Sequence, residues 1–237
     1  MPIDLENGSV ILVNKPLTWT SFDVTNKIKR MIIHKLHRDL GAVEGKKKKI
    51  KVGHAGTLDP LATGLLIVCI GKETKNIDSY MGMVKEYTGS IFLGASRPSF
   101  DKETEIDFQF EMKPLSLEEI QAAAFKFEGE QFQIPPQYSA IKVNGQRAYT
   151  SARKGEEMKM EPRRIFIEKF EITKTNWPIV EFKVICSKGT YIRSLAHDLG
   201  KLLGGGGYLD SLCRTAIGNF RIENAMSLEE IQAELAD

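Results

Sequence analysis

The 237-residue chain has little cysteine, no long apolar run and almost no excess of charge. Its three cysteines, Cys69, Cys186 and Cys213, are too few and too scattered for a disulfide framework. No apolar run approaches the roughly 20 residues that a membrane span needs, and residues 1–14 carry no basic region ahead of their apolar stretch. These features exclude a disulfide-stabilised domain, a membrane protein and a secretory leader, and they predict a cytoplasmic protein.

The charge distribution bears on possible partners. The four histidines show no metal-ligand spacing with the cysteines, so no metal site is predicted. Because the net charge is only +2, a nucleic-acid-binding function requires cations that are concentrated in particular segments. One basic segment covers residues 27–51 and includes the lysine run 46–49, and a second covers residues 147–164. A charge run is also typical of a solvated face, and both interpretations stay open.

Apolar periodicity predicts an α+β fold with much antiparallel pairing, because several predicted strands are consecutive. Ser116 and Glu119 have the spacing of a capping box, and the four glycines of residues 204–207 predict a flexible turn. No linker divides the chain, so a single domain over residues 1–237 is expected. Strands are predicted at residues 9–13, 65–70, 85–93, 165–175 and 179–186, and helices after residues 18–21, at 116–127 and at 191–203.

The segment KVGHAGTLDPLATGLL, residues 51–66, is the most informative part of the chain. It follows the basic residues 34–51, which predict a long loop, and its residues 53–60 predict turns ahead of a central strand. Asp59 lies between Leu58 and Pro60, and Pro60 favours an extended backbone at Asp59. Loops that a rigid sheet supports are common places for catalytic groups, although an Asx-turn aspartate is the structural alternative. A phosphate-binding loop is disfavoured, because the spacing G-x-x-x-x-G-K-[ST] is not matched.

The stretch GHAGTLDPLATGLL resembles the signature of the bacterial tRNA pseudouridine-55 synthases, the TruB family. Other family-like segments occur in the family's order over residues 11–220: ILVNKPLTWTS, KEYTGSIFLG, PPQYSAIKVNGQRAYTSAR, CSKGTYIRSLAHDLG and LCRTAIGNF. The resemblance implies the pseudouridine-synthase fold, with a mixed, largely antiparallel sheet, flanking helices and a central cleft. It also implies an isomerase that converts uridine to pseudouridine at position 55 in the T-loop of tRNA, by base flipping and without a metal or organic cofactor.

The resemblance assigns roles to individual residues. Asp59 matches the catalytic aspartate of the family. Five other positions match residues that bind the substrate or support the site. His54 takes the place of the flipped base, Tyr87 is an active-site tyrosine, and Arg193 pairs with the catalytic carboxylate. Leu212 lines the uracil pocket, and Lys15 supports the site from a Lys-Pro motif. Without the resemblance, four of these residues have a structural explanation. His54 would form hydrogen bonds within its own loop, and Tyr87 would be a buried strand residue. Arg193 would be an ordinary residue at a helix start, and Leu212 would belong to a helix core.

Three features depart from the family. Residues 93–101 read LGASRPSFD where the family has LGxxTxTxD, so Asp101 is kept but Arg97-Pro98 puts the substrate-side role of this loop in question. Residues 34–49 resemble an insertion. The chain stops at Asp237, where many members continue into an RNA-binding PUA domain, so that domain is expected to be absent or truncated.

Two other functions remain as alternatives. One is a tRNA-binding or folding module with secondary catalysis, and the other is a small-molecule enzyme that binds phosphate through its glycine-rich segments. The expected partner is the T-arm stem-loop of tRNA, and a monomer without membrane association is favoured.

Overall fold

The computed structural model describes residues 4, 7–40, 50–139, 141–143, 145–156 and 158–236. The chain divides into two compact units. The first unit comprises Met1–Lys85 and Cys213–Asp237, and the second unit comprises Glu86–Leu212. In the described ranges, no helix is both long enough and apolar enough to cross a membrane.

Strands and helices alternate irregularly along the described chain. The strands are β1 (Ser9–Lys15), β2 (Val52–Ala55), β3 (Ala62–Ile70), β4 (Lys85–Leu93), β5 (Ala95–Ser96), β6 (Phe108–Gln109), β7 (Gly129–Gln133), β8 (Lys142–Val143), β9 (Gln146–Arg147), β10 (Arg163–Asn176), β11 (Ile179–Cys186), β12 (Gly207–Ile217) and β13 (Phe220–Arg221). The α-helices are α1 (Ser21–Leu40), α2 (Ile77–Gly82), α3 (Leu117–Phe125), α4 (Ala148–Ala152), α5 (Ile192–Leu202) and α6 (Leu228–Glu234).

The first unit is built around β3, an apolar strand that is buried on both faces. Strand β1 pairs antiparallel with it from Ser9 opposite Ile70 to Lys15 opposite Gly64, and β2 pairs antiparallel with residues 67–70. The strand order is β1-β3-β12, with β13 paired to β12. Because successive side chains of a strand point to opposite faces, β3 contributes to two cores. One face packs with residues of α1 and α6, and the other with residues of β2 and β12.

The second unit has the strand order β12-β4-β11-β10-β7. Strand β10 pairs antiparallel with both β11 and β7. Its core includes Phe170 and Phe182, whose rings meet edge to face with centroids 5.8 Å apart. Helix α3 is fixed to β10 through the amide of Gln121, which donates to the Phe170 carbonyl and accepts from the Ile172 backbone N–H.

The predicted α+β class and the mostly antiparallel pairing are confirmed. The strand predicted at residues 85–93 is β4 with the same bounds, and the central strand predicted at 65–70 is the later part of β3. The capping box at Ser116 is also observed: its hydroxyl accepts from the Glu119 N–H, and the Glu119 carboxylate accepts from the Ser116 N–H. The single domain and the central cleft stay predictions.

Two predicted loops are partly regular structure. The loop predicted from residue 34 is wrong for its first residues, because α1 continues to Leu40. Leu36 lies one turn after Ile32 and packs against the same core, so packing extends the helix through a polar sequence. The lysines at residues 46–49 lie outside the described residues. Residues 53–55, the beginning of the predicted turn segment, belong to β2 instead, because they pair with β3.

Of the glycines at 204–207, Gly204 lies in a turn with φ +84°, and the other three do not form the predicted flexible turn. Residues 205–207 are buried, and Gly207 already belongs to β12. A Cβ atom on Gly200 would lie 2.3 Å from the Gly207 nitrogen, and one on Gly206 would lie 2.7 Å from the Ala95 carbonyl carbon. Glycine is therefore required here because α5, β12 and β5 approach closely.

Candidate active site

Asp59 lies in the short connection between β2 and β3, and the backbone on its two sides is fixed by Ser21, the first residue of α1, and by Thr18, in the turn that precedes α1. The Leu58 N–H donates to the Ser21 hydroxyl over 2.9 Å, and that hydroxyl donates back to the Leu58 carbonyl over 3.2 Å. On the other side, the Pro60 carbonyl accepts from the Thr18 N–H over 2.8 Å. Asp59 itself is half-buried. The carboxylate is thus carried by a loop whose two flanking residues are tied to the first residue of α1 and to the turn that precedes it.

Lys15 supports the same connection from the end of β1. Its side chain is fully buried, and its ammonium donates to the carbonyls of Trp19 (2.6 Å), Pro16 (2.9 Å) and Pro60 (3.5 Å). Burial lowers the pKa of Lys15 from 10.5 to about 8, while the negative charge of Asp59 opposes this shift and the positive charge of Arg214 adds to it. Lys15 is therefore mostly protonated at pH 7, and it combines a structural tie with a positive charge that acts on Asp59.

Arg214 is a second buried cation in the first unit, and the sequence analysis did not identify it. Only 1% of this residue is exposed, on β12. Its Nε donates to the Leu65 carbonyl over 2.8 Å, and its terminal nitrogen donates to the Gly56 carbonyl over 3.0 Å. The strand approaches so closely that a Cβ atom on Gly64, which has φ +104°, would lie 2.4 Å from the Arg214 carbonyl oxygen. Arg214 therefore connects the beginning of the Asp59 loop to β3.

His54 lies on β2, opposite Val68 of β3. It is half-buried, and its Nδ1 is buried with no hydrogen-bond partner among the described residues. Burial, and secondarily the positive charge of Arg214, lower the pKa of His54 below its usual value. The imidazole is therefore neutral at pH 7, which suits stacking against an uncharged base better than it suits contact with a phosphate.

Arg193 belongs to the second unit, where the first turn of α5 buries it to 4% exposure. Its guanidinium donates to the carbonyls of Tyr138 (2.9 Å) and Ser99 (3.3 Å), and its Nε lies 3.6 Å from an Asp101 carboxylate oxygen. The other Asp101 oxygen accepts from the Glu103 N–H over 2.9 Å. Within this unit, the ionic partner of Arg193 is thus Asp101. The predicted pairing of Arg193 with Asp59 stays a prediction.

The loop at residues 93–101, whose sequence departs from the family pattern, is held in place by contacts of Arg97 and Phe100. Arg97 donates to the Thr104 carbonyl, and its guanidinium lies 4.6 Å from the centre of the Tyr208 ring. Phe100 has φ +62°, and its ring stacks on His197 of α5 with centroids 3.9 Å apart. Because this loop also supplies Asp101, the unusual residues of the loop help to hold the partner of Arg193.

Tyr87 and Leu212 both lie on strands of the second unit. Tyr87 is a buried residue of β4, and its neighbour Glu86 forms an ion pair of 2.9 Å with Lys183 of β11. Because neighbouring strand residues alternate, Tyr87 points to the face opposite that ion pair. Leu212 is half-buried on β12, so the structural alternative that placed it in a helix core is wrong. In the described part of the chain, no cluster of three or more histidine, cysteine or acidic residues could hold a metal ion.

Residues 44–192 match the N-terminal domain of the TruB family pseudouridylate synthases, and residues 193–237 match the C-terminal domain of tRNA pseudouridylate synthase B. The chain is similar to the tRNA pseudouridine synthase B of Flavobacterium johnsoniae, at 46% identity over 99% of both chains. It is also similar to that of Parabacteroides distasonis, at 48% identity over 97% of this chain and 94% of the relative.

A solved structure is also similar. The chain aligns with a chain in the crystal structure of a Cbf5-Nop10-Gar1 complex with a TM-score of 0.70 and 27% identity. The alignment covers 97% of this chain and 54% of that one, so this chain spans about half the length of its structural relative.

Proposed function

The chain belongs to the TruB family of pseudouridylate synthases, enzymes that isomerise uridine to pseudouridine in tRNA, and we propose that its target is the uridine at position 55 in the T-loop, with Asp59 as the catalytic residue. The observation that carries the proposal is the setting of Asp59. Its loop is tied at Leu58 to the first residue of α1 and at Pro60 to the turn before α1, and the charge of the buried Lys15 acts on Asp59. A structural Asx-turn aspartate needs no buried ammonium, whereas a reactive carboxylate benefits from one that keeps it ionised and oriented.

The reaction needs one well-placed carboxylate and no electron or group carrier. The bond between C1′ and N1 breaks, the base turns, and a bond forms between C1′ and C5. The hydrogen on C5 leaves as a proton, and N1 gains one, so atoms and electrons balance within the substrate and solvent. Asp59 acts as a nucleophile at the sugar or at the uracil ring, or it stabilises the developing cation. These routes share the requirement for an ionised carboxylate at this position.

The other assigned residues fit steps around this chemistry. Extruding the base from its stack costs a few kcal/mol, and the neutral ring of His54 suits the space that the base leaves. Tyr87 would pack on the flipped uracil, Leu212 would exclude water from it, and Arg193 would orient the catalytic carboxylate. Lys15 is a positioning residue, because its described hydrogen bonds go to loop carbonyls. We also expect a cytoplasmic monomer that recognises the T-arm.

The test compares Asp59→Asn with the original chain and with Asp78→Asn, a matched change of an exposed carboxylate on α2. Each protein is mixed in excess with a T-arm hairpin that carries tritium at C5 of the target uridine. Asp59→Asn should fold and bind the hairpin but release no tritium, because it lacks a charged carboxylate. Asp78→Asn should release tritium at the original rate.

Two outcomes would contradict the proposal. Tritium release by well-folded Asp59→Asn would remove Asp59 from the chemistry. Binding without release by the original chain would instead favour the tRNA-binding or folding module.

A further inference from the structure

A surface groove runs along the first half of α1, beside the residues that hold the Asp59 loop. It has a volume of about 420 Å³ and belongs wholly to the first unit. None of its lining residues has a role in the chemistry proposed above. The groove is lined by Thr18, Trp19, Asp23, Asn26, Lys27 and Arg30.

One side of the groove is cationic. Lys27 and Arg30 are exposed, and they lie one turn apart on α1, so their side chains share one face of the helix. Among the described residues, neither has a hydrogen-bond or ion-pair partner. The acidic lining residue, Asp23, is engaged elsewhere, because its carboxylate accepts from the Thr20 N–H (3.0 Å) and hydroxyl (2.6 Å). The groove therefore offers an anion two positive charges without ion-pair partners among the described residues, against the single negative charge of Asp23.

The groove also contains an aromatic ring, that of Trp19, which packing holds in place. Trp19 is half-buried and packs against the core formed by α1, β1 and β3, and its carbonyl accepts from the Lys15 ammonium. An indole next to two cations matches the chemistry of a nucleotide, because the ring stacks on a base while the cations bind phosphate oxygens. An acidic peptide would use the cations but would leave the indole face without a planar partner.

The groove is connected to the Asp59 loop through one residue. Thr18 adopts φ +69°, a conformation that is uncommon for residues other than glycine, and its N–H donates to the Pro60 carbonyl. Pro60 follows Asp59 directly, so the groove and the carboxylate are fixed to the same short stretch of chain. A strand of RNA that presents a nucleotide to Asp59 would therefore pass close to this groove.

We propose that this groove binds the RNA strand next to the target uridine, with Lys27 and Arg30 on phosphates and Trp19 on a base. The inference rests on the proposed function for the identity of the RNA. It adds a binding surface that contributes to affinity for tRNA but not to the chemical step.

The first test removes the cations. Lys27→Gln/Arg30→Gln is compared with Lys72→Gln/Lys75→Gln, a control pair of exposed lysines with the same spacing in the same unit. The groove variant should bind the T-arm hairpin at least about tenfold more weakly. Its plot of log affinity against log salt concentration should lose about 1.4 to 1.8 units of slope, the amount expected for two phosphate contacts. The control pair should change neither quantity.

The second test observes Trp19 directly. The chain contains two tryptophans, so Trp177→Phe leaves Trp19 as the sole indole fluorophore. Adding the T-arm hairpin should quench this fluorescence, because a base stacks on the ring. Trp19→Leu should weaken hairpin binding by about five- to 150-fold, which corresponds to about 1–3 kcal/mol for one stacked base, while Trp19→Phe should retain most of the affinity. Melting curves identify any variant that fails to fold, and the fluorescence experiment does not depend on those variants.

Failure of this inference can be told apart from failure of the proposed function. Tritium release at saturating hairpin is measured on the same samples, and the groove variants should keep the original single-turnover rate. If the original chain releases tritium but the groove variant binds like its control and Trp19 is not quenched, the groove is not an RNA site, and a protein partner becomes the better occupant. If binding depends on Lys27 and Arg30 but no protein releases tritium, the proposed chemistry fails and the groove assignment stands.

Discussion

Lys15→Met offers the sharpest test of how the first unit holds Asp59. The substitution keeps a long side chain of similar volume but removes the buried ammonium. It removes the hydrogen bonds to the Trp19 and Pro16 carbonyls, and each buried acceptor that loses its donor costs about 1–3 kcal/mol. It also removes the free-energy cost of burying the Lys15 charge. The lowered pKa, about 8 instead of 10.5, corresponds to a cost of about 3 kcal/mol. These contributions have opposite signs, so the melting temperature at pH 7 should change little.

The dependence of stability on pH should change more clearly. The folded chain binds the Lys15 proton less tightly than the unfolded chain does, so this group destabilises the fold below about pH 8. The penalty is relieved as the pH rises from about 8 to about 10.5. The original chain should therefore gain about 2 kcal/mol from Lys15 between about pH 7 and pH 9.5, and Lys15→Met should lack this gain.

Urea unfolding at the two pH values measures the difference, and Lys72→Met serves as an exposed lysine control. Single-turnover tritium release gives the second measurement. Lys15→Met should be at least about tenfold slower at pH 7, because Asp59 loses a neighbouring positive charge and its loop loses a tie, and tenfold corresponds to about 1.4 kcal/mol. An unchanged gain of stability at high pH in Lys15→Met would refute the assignment of the lowered pKa. A full rate at pH 7 would refute the link to Asp59.

Two further substitutions test neighbouring residues. Arg214→Leu should lose about 3 kcal/mol or more of unfolding free energy, because the Gly56 and Leu65 carbonyls lose a charged donor. The control Arg221→Leu, at an exposed position, should lose little. Equal urea midpoints for the two variants would contradict this prediction. His54→Ala should reduce single-turnover pseudouridine formation by about tenfold to a hundredfold, the scale of one lost stacking contact, while the exposed control His34→Ala keeps the rate. Complete inactivity of His54→Ala with normal hairpin binding would indicate a direct chemical role instead.

The sequence predicted elements whose signals are local. The apolar run at residues 65–70 and the capping box at Ser116 depend on neighbouring residues only, and both were confirmed. Elements that depend on distant partners were missed. Residues 53–55 look like part of a turn because they begin the glycine- and proline-containing segment 53–60, yet pairing with β3 makes them a strand. The end of α1 looks like a loop because it is polar, yet the packing of Leu36 extends the helix.

In the candidate site too, residues with a local sequence signal were predicted, and a residue that depends on distant contacts was missed. Asp59, His54, Tyr87, Arg193, Leu212 and Lys15 were identified through short motifs that resemble a family, and the catalytic roles proposed for them stay predictions. Arg214 lies within one of those motifs, LCRTAIGNF, but its role was missed, because no strand was predicted there and an arginine is usually exposed. The contacts that bury it are carbonyls at residues 56 and 65, far away in the sequence. A single arginine in a mostly uncharged, family-like motif is the signal that could have identified it.

The two buried cations of the first unit differ from Arg193 in the groups that they bind. Arg193 has the Asp101 carboxylate as an ionic partner, whereas the described hydrogen bonds of Lys15 and Arg214 go to neutral carbonyls. Neutral carbonyls satisfy the donors without cancelling the charge, so both positive charges act on their surroundings. Asp59 is the main negative charge that acts on Lys15, and the interaction is reciprocal. Asp59→Asn should therefore lower the pKa of Lys15 further and shift its stability gain to lower pH, so that one titration measures the strength of the charge interaction between Lys15 and Asp59.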